Sequence, residues 1–117
     1  FVSRFVEGAR AIKVGDGRDP TVTMGPMAHL GRLKATEELV ADAVSHGAKL
    51  EIGGNRVGDK GYFFEPTVLT NVPVTALAMV DEPFGPIAII NPFDDIDEAI
   101  KEANRLPYGL SAYAYTG

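Results

Sequence analysis

Glu82 is the side chain in this sequence best placed to bind a ligand. It lies in residues 81–86, a segment with two prolines and a glycine that precedes the apolar run Ile87–Ile90. Pro83 biases Glu82 toward an extended backbone, and the Gly-Pro pair after Phe84 prevents a helix from continuing into the strand. The carboxylate is thus presented from a stiff corner. There it can accept two hydrogen bonds from a vicinal diol, such as the ribose hydroxyls of a nucleotide cofactor.

A second interpretation of Glu82 stays open. Proline and glycine mark turns, and an acid on a turn is ordinarily solvated. On the residues alone this interpretation is the simpler one, because spacing does not distinguish a ligand-binding carboxylate from a solvated one. Asp95 and Glu98 could likewise be interpreted as catalytic acids. Capping of a helix N-terminus and complementarity with the helix dipole explain both of them more simply.

Two other groups of residues have structural explanations. The loop of residues 15–20 contains two glycines, but Pro20 stands where a GxGxxG turn has its third glycine, and no strand precedes the loop. His29 and His46 lie at opposite ends of a predicted helix, whereas the paired ligands of a zinc site usually lie ~3–5 residues apart. We therefore predict no metal site, and we interpret His46 as complementing the dipole at the helix C-terminus.

Composition limits the class of partner. The 117 residues are 45% hydrophobic and 23% charged, with a net charge of -5, as expected for a single soluble globular domain. This acidic balance argues against a nucleic-acid or anionic-membrane surface, which needs clustered Lys and Arg. The absence of cysteine excludes a disulfide framework and a cysteine nucleophile within these residues. No apolar run reaches the ~20 residues that span a bilayer, and no signal peptide is seen, so a cytoplasmic setting is expected.

Apolar periodicity predicts the elements that position Glu82. A first helix begins with the first residues of the chain, and a second, amphipathic helix covers residues 29–46 and ends before Gly47. Residues 48–52 form a short strand, and residues 61–69 form another extended element. Pro66 restricts that second element to an edge or a bulge.

The region after residues 81–86 predicts a βαβ unit. Strand Ile87–Ile90 is followed by a helix with a capped, acidic first turn, and residues 111–116 read as a strand that stops at Gly117. Such a unit places its two strands parallel in one sheet. The buried stripe of the helix consists of four apolar residues: Ile96, Ala99, Ile100 and Ala103.

Both ends of the sequence read as parts of longer elements. The first turn is already in helical register without a cap, and the last predicted strand has nothing after it. We therefore expect residues 1–117 to be one α/β segment of a longer polypeptide. Phe1, Phe5, Tyr113 and Tyr115 should then be exposed, which favours self-association or partial disorder near the ends.

Five motifs occur in the order, and with roughly the spacing, of one protein family. They are Met24-Gly25-Pro26; Gly47-Ala48-Lys49-Leu50 with Gly53-Gly54; Gly61-Tyr62-Phe63 with Pro66-Thr67-Val68-Leu69; Glu82-Pro83-Phe84-Gly85-Pro86; and Ala103-Asn104 with Tyr108-Gly109-Leu110. Over nearly its whole length, the sequence resembles the later part of the catalytic domain of the aldehyde dehydrogenase superfamily. The resemblance implies NAD(P)-dependent oxidation of an aldehyde to a carboxylic acid.

The resemblance also implies roles for two residues. Glu82 would bind the hydroxyls of the nicotinamide ribose of NAD or NADP, and Phe84 would pack beside the nicotinamide end of the cofactor. The nucleophilic Cys, the general-base Glu and the dinucleotide-binding domain lie upstream in the family, so no catalytic residue is implied here. Pro83 replaces an apolar residue often found in its position, and Asp81 stands where the family often has Glu. Neither departure touches the carboxylate of Glu82.

The expected fold class is accordingly α/β, a partial aldehyde-dehydrogenase-like catalytic domain with a mainly parallel sheet and flanking helices. We expect the segment to be inactive alone, and the whole enzyme to be a homo-oligomer that oxidises an aldehyde, by overall likeness a semialdehyde. The alternative is a free-standing, non-catalytic α/β binding or interaction module without a cofactor.

Overall fold

The structure, a computed structural model, describes residues 1–116. The elements are, in chain order, helix α1 (Val2–Arg10), helix α2 (Leu30–Ser45), strand β1 (Lys49–Ile52), strand β2 (Thr67–Thr70), a 3-10 helix (Leu77–Met79), strand β3 (Ile87–Ile90) and helix α3 (Ile96–Ala103). Among these described residues, no helix is long and apolar enough to cross a membrane.

The three strands form one mixed sheet in the order β1-β2-β3. β1 runs antiparallel to β2, with an irregularity between Leu50 and Ile52, and β2 runs parallel to β3 from the pair Thr67 and Ile87 onward. The α/β fold class predicted from the sequence is confirmed. The parallel pair consists of β2, which follows Pro66, and β3, which follows residues 81–86.

The predicted restriction of the second strand to an edge or a bulge is wrong. β2 is the central strand, and its residues are buried throughout. Pro66 lies just before β2 rather than within it, so the missing N–H removes no hydrogen bond from the ladder. Thr67 donates its backbone N–H to the carbonyl of Pro86 at 2.8 Å, which joins the start of β2 to the start of β3.

Helix α2 covers one face of this sheet. Its Ala43 packs in a buried cluster with Leu69 of β2, and Ile87 and Ile89 of β3 pack against that cluster. A second buried cluster joins α2 to the segment before β2, where Leu33 and Val40 meet Phe64. Because side chains alternate along a strand, the residues of β2 next to Leu69 lie on the face opposite α2. Helix α1 contacts β1 and β2, so the central strand is covered by helices.

The two predictions about the end of the chain are wrong. Residues 111–116 form no strand and are exposed, and Gly117, the predicted stop, lies outside the described residues. None of the residues of α3 is buried, and Ile96 and Ile100 are 60% and 54% exposed. High β propensity produces a strand only where a partner strand is available, and an apolar stripe is buried only where another element covers it.

The apolar side chains predicted to be exposed are exposed. Phe1 is 88% exposed, Phe5 41%, Tyr113 80% and Tyr115 92%. Because large exposed apolar surface favours association in water, we expect the 117-residue chain to sediment as a concentration-dependent mixture of monomer and larger species. Replacing Tyr113 and Tyr115 together by Ser should shift that mixture toward monomer, whereas Thr116→Ser should leave it unchanged. A single monomeric species of the unaltered chain at every concentration in analytical ultracentrifugation would contradict this expectation.

Candidate functional site

Residues 81–86, which we call the 81–86 corner, are fixed at both ends by backbone hydrogen bonds. The N–H of Asp81 donates to the carbonyl of Leu77 at 2.7 Å, at the end of the 3-10 helix. Within the corner, Gly85 donates to Pro83 at 2.9 Å, and Ile87 donates to Gly85 at 2.8 Å. The bonds from Gly85 and from Ile87 each close a turn of only three residues. The corner is therefore as stiff as its prolines and glycine predict.

Gly85 is the point where the corner meets helix α2. A Cβ atom on Gly85 would lie 2.6 Å from Oγ1 and 3.2 Å from Cγ2 of Thr36, and 3.3 Å from Cε of Met27. Thr36 is buried, and its hydroxyl donates to the carbonyl of Arg32 at 2.9 Å, so it cannot easily turn away. Glycine is thus needed here for close approach between backbone and helix.

Glu82 is exposed on the corner, and within residues 1–116 its carboxylate accepts no hydrogen bond and forms no ion pair. It lies between two open cavities. One, of about 230 Å³, is bounded by α2 and by the corner. The other, of about 340 Å³, lies toward the end of α3 and includes Arg105 and Tyr108. Both carboxylate oxygens are accordingly available to an incoming ligand.

Phe84, the second predicted site residue, lies on the same corner and is 58% exposed. The guanidinium carbon of Arg32 lies 4.6 Å from the centre of its ring, a cation–π contact. Arg32 also lines the cavity between α2 and the corner, beside Glu82. Arg32 is not among the residues predicted from the sequence, because nothing in the spacing of a helical arginine relates it to a phenylalanine so far along the chain.

Side chains from α2 and from the end of α3 hold the segment that leads into the corner. The carboxylate of Asp42 accepts from the N–H of Leu77 at 2.7 Å and caps the 3-10 helix from outside. Arg105 donates to the carbonyl of Met79 at 2.8 Å, while its ion pair with Glu102 raises the pKa of the guanidinium. The position of Glu82 therefore depends on helices on both sides.

The remaining candidates from the sequence have structural roles. Asp95 caps α3 by accepting from the N–H groups of Asp97 at 2.7 Å and Glu98 at 3.2 Å, which confirms the capping interpretation. His29 caps α2 by accepting from the N–H of Arg32 at 3.3 Å, and His46 follows the last residue of that helix. In the part of the chain that the structure describes, no three His, Asp or Glu side chains are grouped closely enough to hold a metal ion.

The loop of residues 15–20 satisfies its charged groups internally. The Arg18 guanidinium donates to the Asp16 carboxylate, with Nε 3.0 Å from Oδ1, and lowers the pKa of that carboxyl from 3.8 to about 2. Asp19 accepts from the N–H and the hydroxyl of Thr21 at 2.8 and 2.7 Å. The carboxylates of Asp16 and Asp19 make this an acidic turn, which disfavours a phosphate by charge repulsion.

In comparisons with known proteins, the whole chain matches one protein family. The model of the aldehyde dehydrogenase family matches residues 1–117. A probable succinate-semialdehyde dehydrogenase [NADP(+)] of Sinorhizobium fredii is 47% identical over 115 residues, which are 98% of this chain and 23% of that protein. The chain therefore spans about a quarter of the length of such a relative.

Solved structures agree with this comparison. The aldehyde dehydrogenase from Brucella melitensis biovar abortus 2308 superposes with a TM-score of 0.92 at 40% identity, over 98% of this chain and 23% of that one. The NAD+ complex of an aldehyde dehydrogenase from Bacillus cereus superposes with a TM-score of 0.87 at 34% identity, over 93% of this chain and 22% of that one.

The contact between Gly85 and Thr36 gives a test of the corner's position. Gly85→Ala adds a methyl group where Thr36 lies too close, and we expect it to lower the free energy of unfolding by about 1–3 kcal/mol, as for other overpacked sites. Combining it with Thr36→Ala removes the clashing atoms and should recover part of that loss. Gly25→Ala is the matched control, because no atom lies within 4 Å of a Cβ there. Equal effects of the Gly85 and Gly25 substitutions in urea unfolding would show that the corner does not rest on Thr36.

Proposed function

The chain belongs to the aldehyde dehydrogenase family, and we propose that it forms part of the catalytic domain of a longer, NAD(P)-dependent aldehyde dehydrogenase that oxidises an aldehyde to a carboxylic acid. One observation links this proposal to particular residues. The 81–86 corner presents an exposed carboxylate that has no partner among the described residues, next to an exposed aromatic ring. A carboxylate held in this way is suited to a ligand that brings its own hydrogen-bond donors.

The corner fits the nicotinamide end of NAD or NADP. In our proposal the two oxygens of Glu82 accept hydrogen bonds from the two hydroxyls of the nicotinamide ribose, and Phe84 packs beside the nicotinamide end. Bound there, the cofactor supplies the acceptor for the hydride of the aldehyde. The hydrogen-bonded backbone of the corner carries both residues, so the relative positions of their Cα atoms are fixed before the cofactor binds.

The substrate and the surroundings of the enzyme are also proposals. A semialdehyde substrate is supported by the name of the Sinorhizobium fredii relative, which is a probable succinate-semialdehyde dehydrogenase. A homo-oligomer is supported by the exposed apolar side chains near both ends of the described residues. The cytoplasm remains the setting that we predict.

The first test concerns the isolated chain. All 117 residues lack cysteine, so they offer no thiol to attack an aldehyde carbonyl, and we expect the purified chain to produce no NADH or NADPH from any aldehyde. The mass of the native gene product should be several times that of the chain. Cofactor reduction by the isolated chain would contradict its expected inactivity, whereas a native product of the same mass as the chain would favour the alternative of a free-standing, non-catalytic module.

The second test is Glu82→Gln in the full-length enzyme. Gln keeps the shape of the side chain but loses the charge, and charge-assisted hydrogen bonds are worth about 1.5–3 kcal/mol each. One amide oxygen still accepts, whereas the NH₂ group faces a hydroxyl that must turn to accept from it. The nicotinamide ring is then held less firmly, and a displacement of about 1 Å can slow a reaction ~100-fold. We therefore expect slower hydride transfer, with little change in affinity for the adenine end.

Single-turnover kinetics with a deuterated aldehyde measure this effect. Hydride transfer that has become rate-limiting must show a primary isotope effect in the Glu82→Gln enzyme. Glu37→Gln is the control, because it removes an equal charge from an exposed position on α2 that has no contact with the corner. An unchanged rate without an isotope effect in the Glu82 variant would remove Glu82 from the site.

A further inference from the structure

The side chain of Arg32 contacts Phe84 but forms no hydrogen bond or ion pair in the part of the chain that the structure describes. Its guanidinium lies over the Phe84 ring at 4.6 Å, and neither a hydrogen bond nor an ion pair engages its side-chain nitrogens there. An exposed arginine ordinarily points into solvent and has several rotamers available. A stacked guanidinium on a partly exposed ring has lost much of that freedom.

The charges around Arg32 make the stacked position unexpected. The cavity between α2 and the corner is bounded by three carboxylates, those of Glu38, Asp81 and Glu82, and Arg32 is the one cation among its described lining residues. A guanidinium has five donors in a planar fork that matches a carboxylate. Yet within residues 1–116 no carboxylate lies within 4.0 Å of its nitrogens. Stacking on Phe84 thus coincides with the absence of an ion pair to Glu82.

The backbone of Arg32 is held in a defined place. Its N–H donates to Nδ1 of His29 at 3.3 Å, and its carbonyl accepts from the hydroxyl of Thr36 at 2.9 Å. Thr36 is also the residue against which Gly85 packs. Arg32 and Phe84 are therefore attached to the two sides of one tight contact, between the first turns of α2 and the corner. Their distance is set by the fold rather than by chance collisions of two surface side chains.

We propose that Arg32 is a positioning residue of the nicotinamide-end site, acting through Phe84 in two ways. Its stacking holds the Phe84 ring against α2, so that the ring presents one face to the cofactor. The same stacking keeps the guanidinium away from Glu82, whose oxygens stay available for the ribose hydroxyls. The inference rests on the proposed function, since it needs the cofactor to bind at the 81–86 corner.

The test uses the full-length enzyme with Arg32→Leu, which removes the charge and the planar group but keeps a good helix former. We expect the rate of hydride transfer to fall about 2- to 5-fold, the range that one exposed cation–π contact is worth. A primary isotope effect should appear, while the KM for the aldehyde stays unchanged. Arg32→Lys, which can still place a cation over the ring, should recover part of the rate. Lys34→Leu on the same helix is the matched control and should change neither quantity.

The benefit of Arg32 should disappear or reverse when the ring is absent. In a Phe84→Leu enzyme the guanidinium has nothing to stack on and is free to pair with Glu82, so Arg32 then competes with the cofactor. Adding Arg32→Leu to that enzyme should therefore leave the KM for the cofactor unchanged or lower it. A general loss of helix stability would not produce this difference, because it would lower activity by the same factor in both backgrounds.

The outcomes separate the two proposals. If Glu82→Gln slows hydride transfer but Arg32→Leu has no effect, or costs the same factor with and without Phe84, the role of Arg32 is wrong and the site stands. If Glu82→Gln itself has no effect, the proposed cofactor site is wrong, whatever Arg32 does. If Arg32→Leu slows hydride transfer only when Phe84 is present, and Lys34→Leu leaves the rate unchanged, both proposals are supported.

Discussion

The arrangement of this site depends on the close approach of Gly85 to Thr36. Three-residue turns on either side of Gly85 make the 81–86 corner stiff, but stiffness alone does not say where the corner lies. The missing side chain of Gly85 allows the backbone to rest on a buried residue of α2, and protein interiors resist change at such contacts because they are close-packed. Glu82, Phe84 and the stack with Arg32 all lie on the two segments that meet at that contact.

The same contact explains why the small mixed sheet matters to the site. β2 lies between β1 and β3, and α2 packs on β2 through Ala43 and Leu69. The corner leads directly into β3, so pairing of β3 with β2 and packing of α2 on β2 together fix the distance between α2 and the corner. A carboxylate and a ring on a loop are rarely well placed by the loop itself, and here the rigid elements beneath the loop place them.

Local features of the sequence predicted local features of the structure. The cap of α3 by Asp95 and the turn chemistry of the corner depend on residues within a few positions of one another. Contacts between distant segments were beyond such reasoning, which is why the contacts of Arg32 with Phe84 and of Thr36 with Gly85 were missed. The strand predicted for residues 111–116 failed for the same reason, since a strand requires a partner that local pattern does not supply.

The exposure of Glu82 is consistent with a residue that meets a ligand rather than one that supports the fold. Burying an unpaired carboxylate would cost several kcal/mol, so a carboxylate without protein partners is tolerated only where water solvates it. A ligand that covers Glu82 displaces this water and must replace its hydrogen bonds, or the desolvation opposes binding. Two adjacent hydroxyl donors meet that requirement, whereas a purely apolar ligand does not. In the site that we propose, selectivity for a diol would therefore follow from what an exposed, unpaired carboxylate demands of anything that covers it.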